Sequence, residues 1–279
     1  MNRFAWNKQL VFGLIVLGLM LLAAVAAPWL SSHDPLEQDL MNSFAAPFWH
    51  NDYDGNFALG ADSLGRDVWS RLLHGARIAL VVAFVAALLA GLLGTALGLV
   101  AGYFGGKTDA VISRLVEIWM SFPPVLLSIV LAAVIGPGLL TVIVAIVVID
   151  WTRFCRIVRA ETLAQRELDY VTSAVTIGLK PMRILWSEIL PNIAPLLLVL
   201  FSMEMGIAIV VEAVLSFVGL SVASGAATWG GMISEGRLYV NQAWWLMALP
   251  MLCIIFAVLG MNALGDGLKR ALDPSEKSP

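Results

Sequence analysis

The sequence is poor in charge. Asp, Glu, Lys and Arg make up 13% of its 279 residues, against about a quarter in soluble domains. A soluble fold of this size has no way to hide the apolar surface that remains, and a disordered chain carries far less of it. Cysteine is scarce: Cys155 and Cys253 are the only two, which leaves no disulfide framework. Histidine is scarce too, with three in the chain. His33, His50 and His74 are scattered without the close spacing of a dedicated site, so no metal is expected. A net charge of −3 and a pI near 5.6 supply no basic surface, so nucleic acid is not an expected partner. No nucleophile elbow, H-E-x-x-H or catalytic pair occurs, so no catalytic residue is expected.

What is present is apolar. Hydrophobic residues reach 59%, with a mean hydropathy of +0.86. This composition points to an integral membrane protein, at this length one bundle or at most two small domains, and the spans located next make it an all-α fold with one transmembrane domain over 1–279.

Gaps between charges locate the spans. No Asp, Glu, Lys or Arg occurs in 9–33, 78–106, 118–149 or 238–265, runs of 25, 29, 32 and 28 residues. A crossing helix needs about 20 apolar residues. The first, second and last runs each predict one span. As one helix, 118–149 would be about 48 Å long, too long for a single crossing. Gly136-Pro137-Gly138 interrupts it and predicts two helices, about 112–135 and 139–158. Another is expected over 191–217. With 9–30, 78–101 and 243–264, the total is six.

Lys and Arg orient the bundle. With the N-terminus inside, segments 1–8, 102–114, 151–190 and 265–279 carry 13 of the 17 positive residues. Both termini are therefore expected in the cytoplasm. Loop 31–77 is expected outside, with seven acids against three bases. The uncharged stretch Leu10 to Leu30 exceeds a typical signal core, so a retained first helix is expected despite Ala24-Val25-Ala26.

Gly105-Gly106-Lys107-Thr108 looks like the end of a phosphate-binding loop, but position 101 is Ala101 and no strand pattern precedes it. A glycine-rich turn is the better reading, and no nucleotide is expected on this chain. Gly94, Gly98 and Gly102 form a small-residue stripe suited to close helix packing. Glu204 and Glu212 lie inside a span. Eight positions rotate about 80° on a helix, so the two roughly share a side. They are candidates either for a polar pathway lining or for hydrogen bonding to a neighbouring helix or subunit.

The segment 159–190 is long for a connection between spans. Arg153, Arg156 and Arg159 repeat every three positions before it and are expected to face water or headgroups. Asp169 is an expected N-cap. Tyr170, Val171, Ala174 and Ile177 fall at helical spacing, and Gly178 is placed to end the helix. Pro181 opens a second short helix, expected to stop before Pro191. An apolar face on such a helix needs either a partner or the membrane surface.

These residues resemble the inner-membrane permease subunits of ATP-binding-cassette importers, in the dipeptide, oligopeptide and nickel branch. The resemblance runs over nearly the whole chain. Leu59-Gly60-Ala61-Asp62-Ser63-Leu64-Gly65-Arg66-Asp67, Ser70-Arg71 and Gly75-Ala76-Arg77 are similar to that branch's exterior signature. Gly102-Tyr103-Phe104-Gly105-Gly106, Asp109, Arg114 and Phe122-Pro123 continue it, as do Leu215 to Leu220, Trp229-Gly230, Gly265-Asp266 and Leu272-Asp273-Pro274. The loop is similar to the family's coupling motif at Ala174, Gly178, Leu190 and Pro191. It departs from that motif at Thr172, Ser173 and Glu188.

The resemblance implies a non-catalytic permease subunit in a bacterial inner membrane, importing a small solute, with di- or oligopeptide favoured over nickel or another chelate. It implies a second homologous permease, two ATPase subunits that bind ATP and Mg, and an extracytoplasmic binding protein. It implies ATPase coupling through Tyr170, Val171, Thr172, Ser173, Ala174, Ile177, Gly178, Leu190 and Pro191. Gly60, Asp62, Gly65, Arg66, Asp67 and Arg71 form the exterior motif, where alternating charges could pair and glycines fix a turn. A stand-alone secondary transporter is the alternative. It predicts an internal repeat, and none is apparent. An intramembrane enzyme would need a Ser-His, Asp-Asp or metal constellation, and the six expected spans hold no histidine and no matching acidic pair.

Overall fold

The computed structural model describes residues 6–53, 55–221 and 226–272. Arg3, Ser224, Gly225, Asp273 and Pro274 lie outside them. Ten helices follow in order: α1 Lys8–Leu30, α2 Val68–Phe104, α3 Gly106–Met120, α4 Pro124–Ile135, α5 Leu139–Arg166, α6 Asp169–Thr176, α7 Pro181–Ile184, α8 Leu190–Phe217, α9 Trp229–Gly236 and α10 Trp245–Leu272. No strand occurs among the described residues; Ala61 and Asp67 form one isolated bridge.

Four helices are long and apolar enough to cross a membrane: α1, α2, the continuous Pro181–Phe217 helix, and α10. The pair α3 and α4 makes a fifth if counted as one bent span. α5 carries Asp150, Arg153 and Arg156 along its membrane-length portion, which lowers its apolarity.

The long helices α2 and α5 pack through the glycine stripe. A Cβ on Gly98 would sit 2.7 Å from the Cys155 carbonyl oxygen, and one on Gly102 would sit 2.8 Å from that of Arg159. Absence of side chains at Gly94, Gly98 and Gly102 therefore lets the two backbones touch. α1 and α8 each pack on both α2 and α10. Val16, Met20, Ala83, Met205, Ile209 and Met261 share the main core.

Several boundaries differ from the charge-gap reading. The expected helix 112–135 is two helices bent by 85° at Ser121–Pro123. Pro123 disfavours helical geometry at Phe122, and Pro124 needs no amide partner at a helix start. α2 begins at Val68 rather than 78, because Asp67 caps it by accepting from the Trp69 and Ser70 amides. α5 runs on to Arg166, and α10 runs on to Leu272. The segment after α8 contains α9, capped by the Thr228 hydroxyl.

The helix opened by Pro181 does not stop before Pro191. It passes through a π turn, Leu185–Ile189, directly into α8. The Leu190 amide reaches back to the Leu185 carbonyl, and the Asn192 side chain donates to Glu188 O. This wide turn absorbs the amide that Pro191 lacks.

Candidate coupling site and outer ion network

α6 stands at one end of the bundle, between the end of α5 and the start of the Pro181–Phe217 helix. Asp169 is its first residue, not its cap; Leu168 holds the cap position with no side-chain bond. Gly178 ends α6. Its φ is +80°, its amide donates to Val175 O, and the Leu179 amide donates to Ala174 O. That double closure needs a left-handed residue, which suits glycine.

The apolar face of α6 is divided. Val171 and Ala174 are buried and pack with Leu99, Val158, Ile184, Leu185, Ile189 and Ile193. Tyr170 is half-buried and donates to Gln165 Oε1 at 2.7 Å. Ile177, expected on the same face, is instead 76% exposed. Thr172, Ser173, Val175 and Thr176 also point outward, and Met182 and Trp186 are exposed nearby. Leu190 is half-buried and Pro191 exposed. So the inner face is satisfied by α2, α5 and α8, and a different face is left open.

Two of the three spaced arginines do not face solvent freely. Arg159 donates two hydrogen bonds to Asp109 of α3, with Nη2 at 2.6 Å from Oδ2. Arg153 lies 3.0 Å from Glu204 of α8 and 3.6 Å from Asp150. Arg156 is exposed. The pairing partners sit on other helices, which is why spacing alone pointed to headgroups.

Glu204 and Glu212 are both buried but do not share a site. Glu204 binds Arg153, and Glu212 accepts from the hydroxyls of Ser216 and Ser221. Glu204 thus pairs with α5, while Glu212 is held by Ser216 of its own helix and by Ser221 just beyond it.

The other end of the bundle carries the exterior motif. Asp62, Arg66 and Arg71 form a buried network, and Glu235 of α9 completes it. Arg66 Nε and Nη2 each lie 2.7 Å from a carboxylate, Asp62 Oδ2 and Glu235 Oε2. Asp62 also accepts the Leu64 and Arg66 amides at 2.9 and 3.0 Å. Asp67 is not part of it; it caps α2 and sits 3.6 Å from His33 Nδ1. Gly60 and Gly65 have φ of +80° and +72°. A Cβ on Gly65 would overlap the Asp39 carbonyl, and one on Gly60 would lie 2.7 Å from that of Ala45. The turn and the ion network are thus one structure. Glu235 lies 169 residues from Arg66, beyond the reach of local spacing.

Residues 94–278 match the family described as a binding-protein-dependent transport system inner membrane component. The chain belongs to this family. Residues 1–47 match the N-terminal transmembrane domain of oligopeptide transport permease C. The chain is 36% identical over 277 residues to the di/tripeptide transport system permease protein of Pseudomonas aeruginosa, covering 99% of this chain and 91% of that one. It is 37% identical over 272 residues to the dipeptide transport system permease protein of Alkalihalophilus pseudofirmus, covering 98% and 88%. Among solved structures, an inward-facing MetNI methionine ABC transporter chain matches with a TM-score of 0.59 at 22% identity, covering 74% of this chain and 97% of that one. The likeness to that structure is one of fold. This permease is a multi-pass inner membrane protein.

Proposed function

We propose that this permease is one of two different membrane subunits of an ATP-driven importer for di- or oligopeptides. The names of its relatives support peptide as the substrate class. In this reading, α1, α2, the bent α3–α4 pair, α5, α8 and α10 make six spans with both termini in the cytoplasm, as the distribution of Lys and Arg favours. A binding protein delivers peptide to the end holding the Asp62–Arg66–Arg71–Glu235 network. Two partner ATPase subunits bind ATP and Mg at the opposite end, and this chain holds no nucleotide.

The observation that carries the reading is the divided surface of α6. Val171 and Ala174 anchor it to α5 and α8, while Val175 and Ile177, 55% and 76% exposed, are left for a partner. A stiff helix held this way transmits a push to both long helices together. The Arg153–Glu204 and Arg159–Asp109 pairs tie α5 to α8 and α3, so the motion spreads across the bundle. Hypothesis: replacing Gly178 with Trp blocks docking, because the left-handed turn beside the exposed face is lost. Complexes reconstituted in liposomes should lose ATPase stimulation by peptide-loaded binding protein. Stimulation at the wild-type level in G178W would sink this reading.

A further inference from the structure

A groove of about 770 Å³ runs along the bundle between α1 and α8. Leu80, Met205 and Leu264 form its buried floor, and Val25 and Trp29 form an open edge, 66% and 79% exposed. Its lining is apolar with one charged exception, Arg77, which is exposed. Arg77 has no ion-pair or hydrogen-bond partner among the described residues, unlike Arg66 and Arg71, eleven and six residues before it.

We infer that this groove holds a phospholipid, with its phosphate on Arg77 and one acyl chain along the α1–α8 cleft. Three observations converge. Trp29 and Arg77 both line the groove, and Trp29 stands one residue before the end of α1, where indoles mark the headgroup level. From Trp29 the α1 wall descends to Leu17, twelve helical steps or about 18 Å. One leaflet of a bilayer is about 15 Å deep, half of a ~30 Å core, so the groove is as long as one leaflet's tail. The guanidinium then supplies what a phosphate accepts, a planar set of donors at headgroup depth. A helix from another subunit seated here would press apolar side chains onto Arg77 and leave it unpaired unless it brought an acid to that level.

Native mass spectrometry of the assembled transporter, released from phosphatidylglycerol nanodiscs, tests this. Wild type should keep one phospholipid per copy of this chain. R77Q should lower retention roughly tenfold, the loss of a charge-assisted hydrogen bond, while R77K keeps most of it. V25W, which fills the open edge without touching the floor, should also lose the lipid. A phosphate-free diacyl glycolipid should not be retained. Equal retention in wild type, R77Q and V25W, or equal retention of the glycolipid, would overturn the proposal. So would an efficient cross-link from V25C to another subunit, in a chain carrying C155S and C253S, since protein would then cover the groove.

Discussion

Arg153 of α5 lies 3.0 Å from Glu204 of α8, and the two are asymmetrically placed. The Glu204 side chain is 1% exposed and that of Arg153 37%. Removing the arginine leaves two carboxyls, Glu204 and Asp150, buried without their cation. Removing the carboxylate leaves an arginine that can turn toward water. R153A should therefore destabilise the permease by about 3 kcal/mol, the usual cost of an orphaned buried charge, and E204Q by clearly less. Thermal melts of the purified complex give the order. Equal effects would mean that burial of the acid is not the dominant cost.

The outer network has the same logic with the sign exchanged. Asp62 faces both Arg66 and Arg71, which are 4% and 1% exposed. D62A should leave both with only the part-exposed Glu235 as counter-charge and cost about 3 kcal/mol. Glu235 is 43% exposed at its side chain, so E235A should cost about 1 kcal/mol. Detergent-solubilised yield and melting temperature of the two variants would separate them.

Asp109 and Arg159 join α3 to α5 through two hydrogen bonds. The pair is part-exposed, so D109N should cost on the order of 1 kcal/mol. Thermal melts of the purified complex check this, and an unchanged melting temperature would contradict the pairing.

The α2–α5 contact predicts a graded glycine series. A Cβ on Gly91 would meet the Phe154 ring at 3.4 Å, a side chain that can shift. A Cβ on Gly98 would meet Val158 and backbone atoms of α5 at 3.0 Å or less. G91A should change stability by under about 1 kcal/mol, and G98A should cost about 1–3 kcal/mol. Melting temperatures of the two variants, measured side by side, check the gradient.

Much of this was legible in the sequence, because membranes punish charge wherever it lies. The uncharged runs cover α1 from its second residue and three residues past it, most of α2 to the first residue of α3, the end of α3 into α5, and the approach to α10 with most of that helix, and Gly136-Pro137-Gly138 lies between α4 and α5. The bend at Phe122 was missed, although Pro123-Pro124 carries the physical signal for it: no continuous helix keeps its amide ladder across two prolines. The ion pairs were illegible for a different reason. Arg159 and Asp109 are 50 positions apart, and Arg153 and Glu204 are 51, so only the packing of α3, α5 and α8 brings them together. Ile177 shares the helical period of Val171 and Ala174, but it falls at the C-cap of α6, where the Gly178 turn carries it outward.

The central claim is that the open face of α6 receives a partner ATPase. Cysteine cross-linking from this face tests it most directly. In a chain carrying C155S and C253S, I177C should cross-link to the ATPase subunit in assembled complexes, with a yield that changes on adding ATP. M41C, 93% exposed in the wild-type chain but at the other end of the bundle, should not. An I177C chain that assembles with its ATPase yet cross-links no better than M41C would contradict the account.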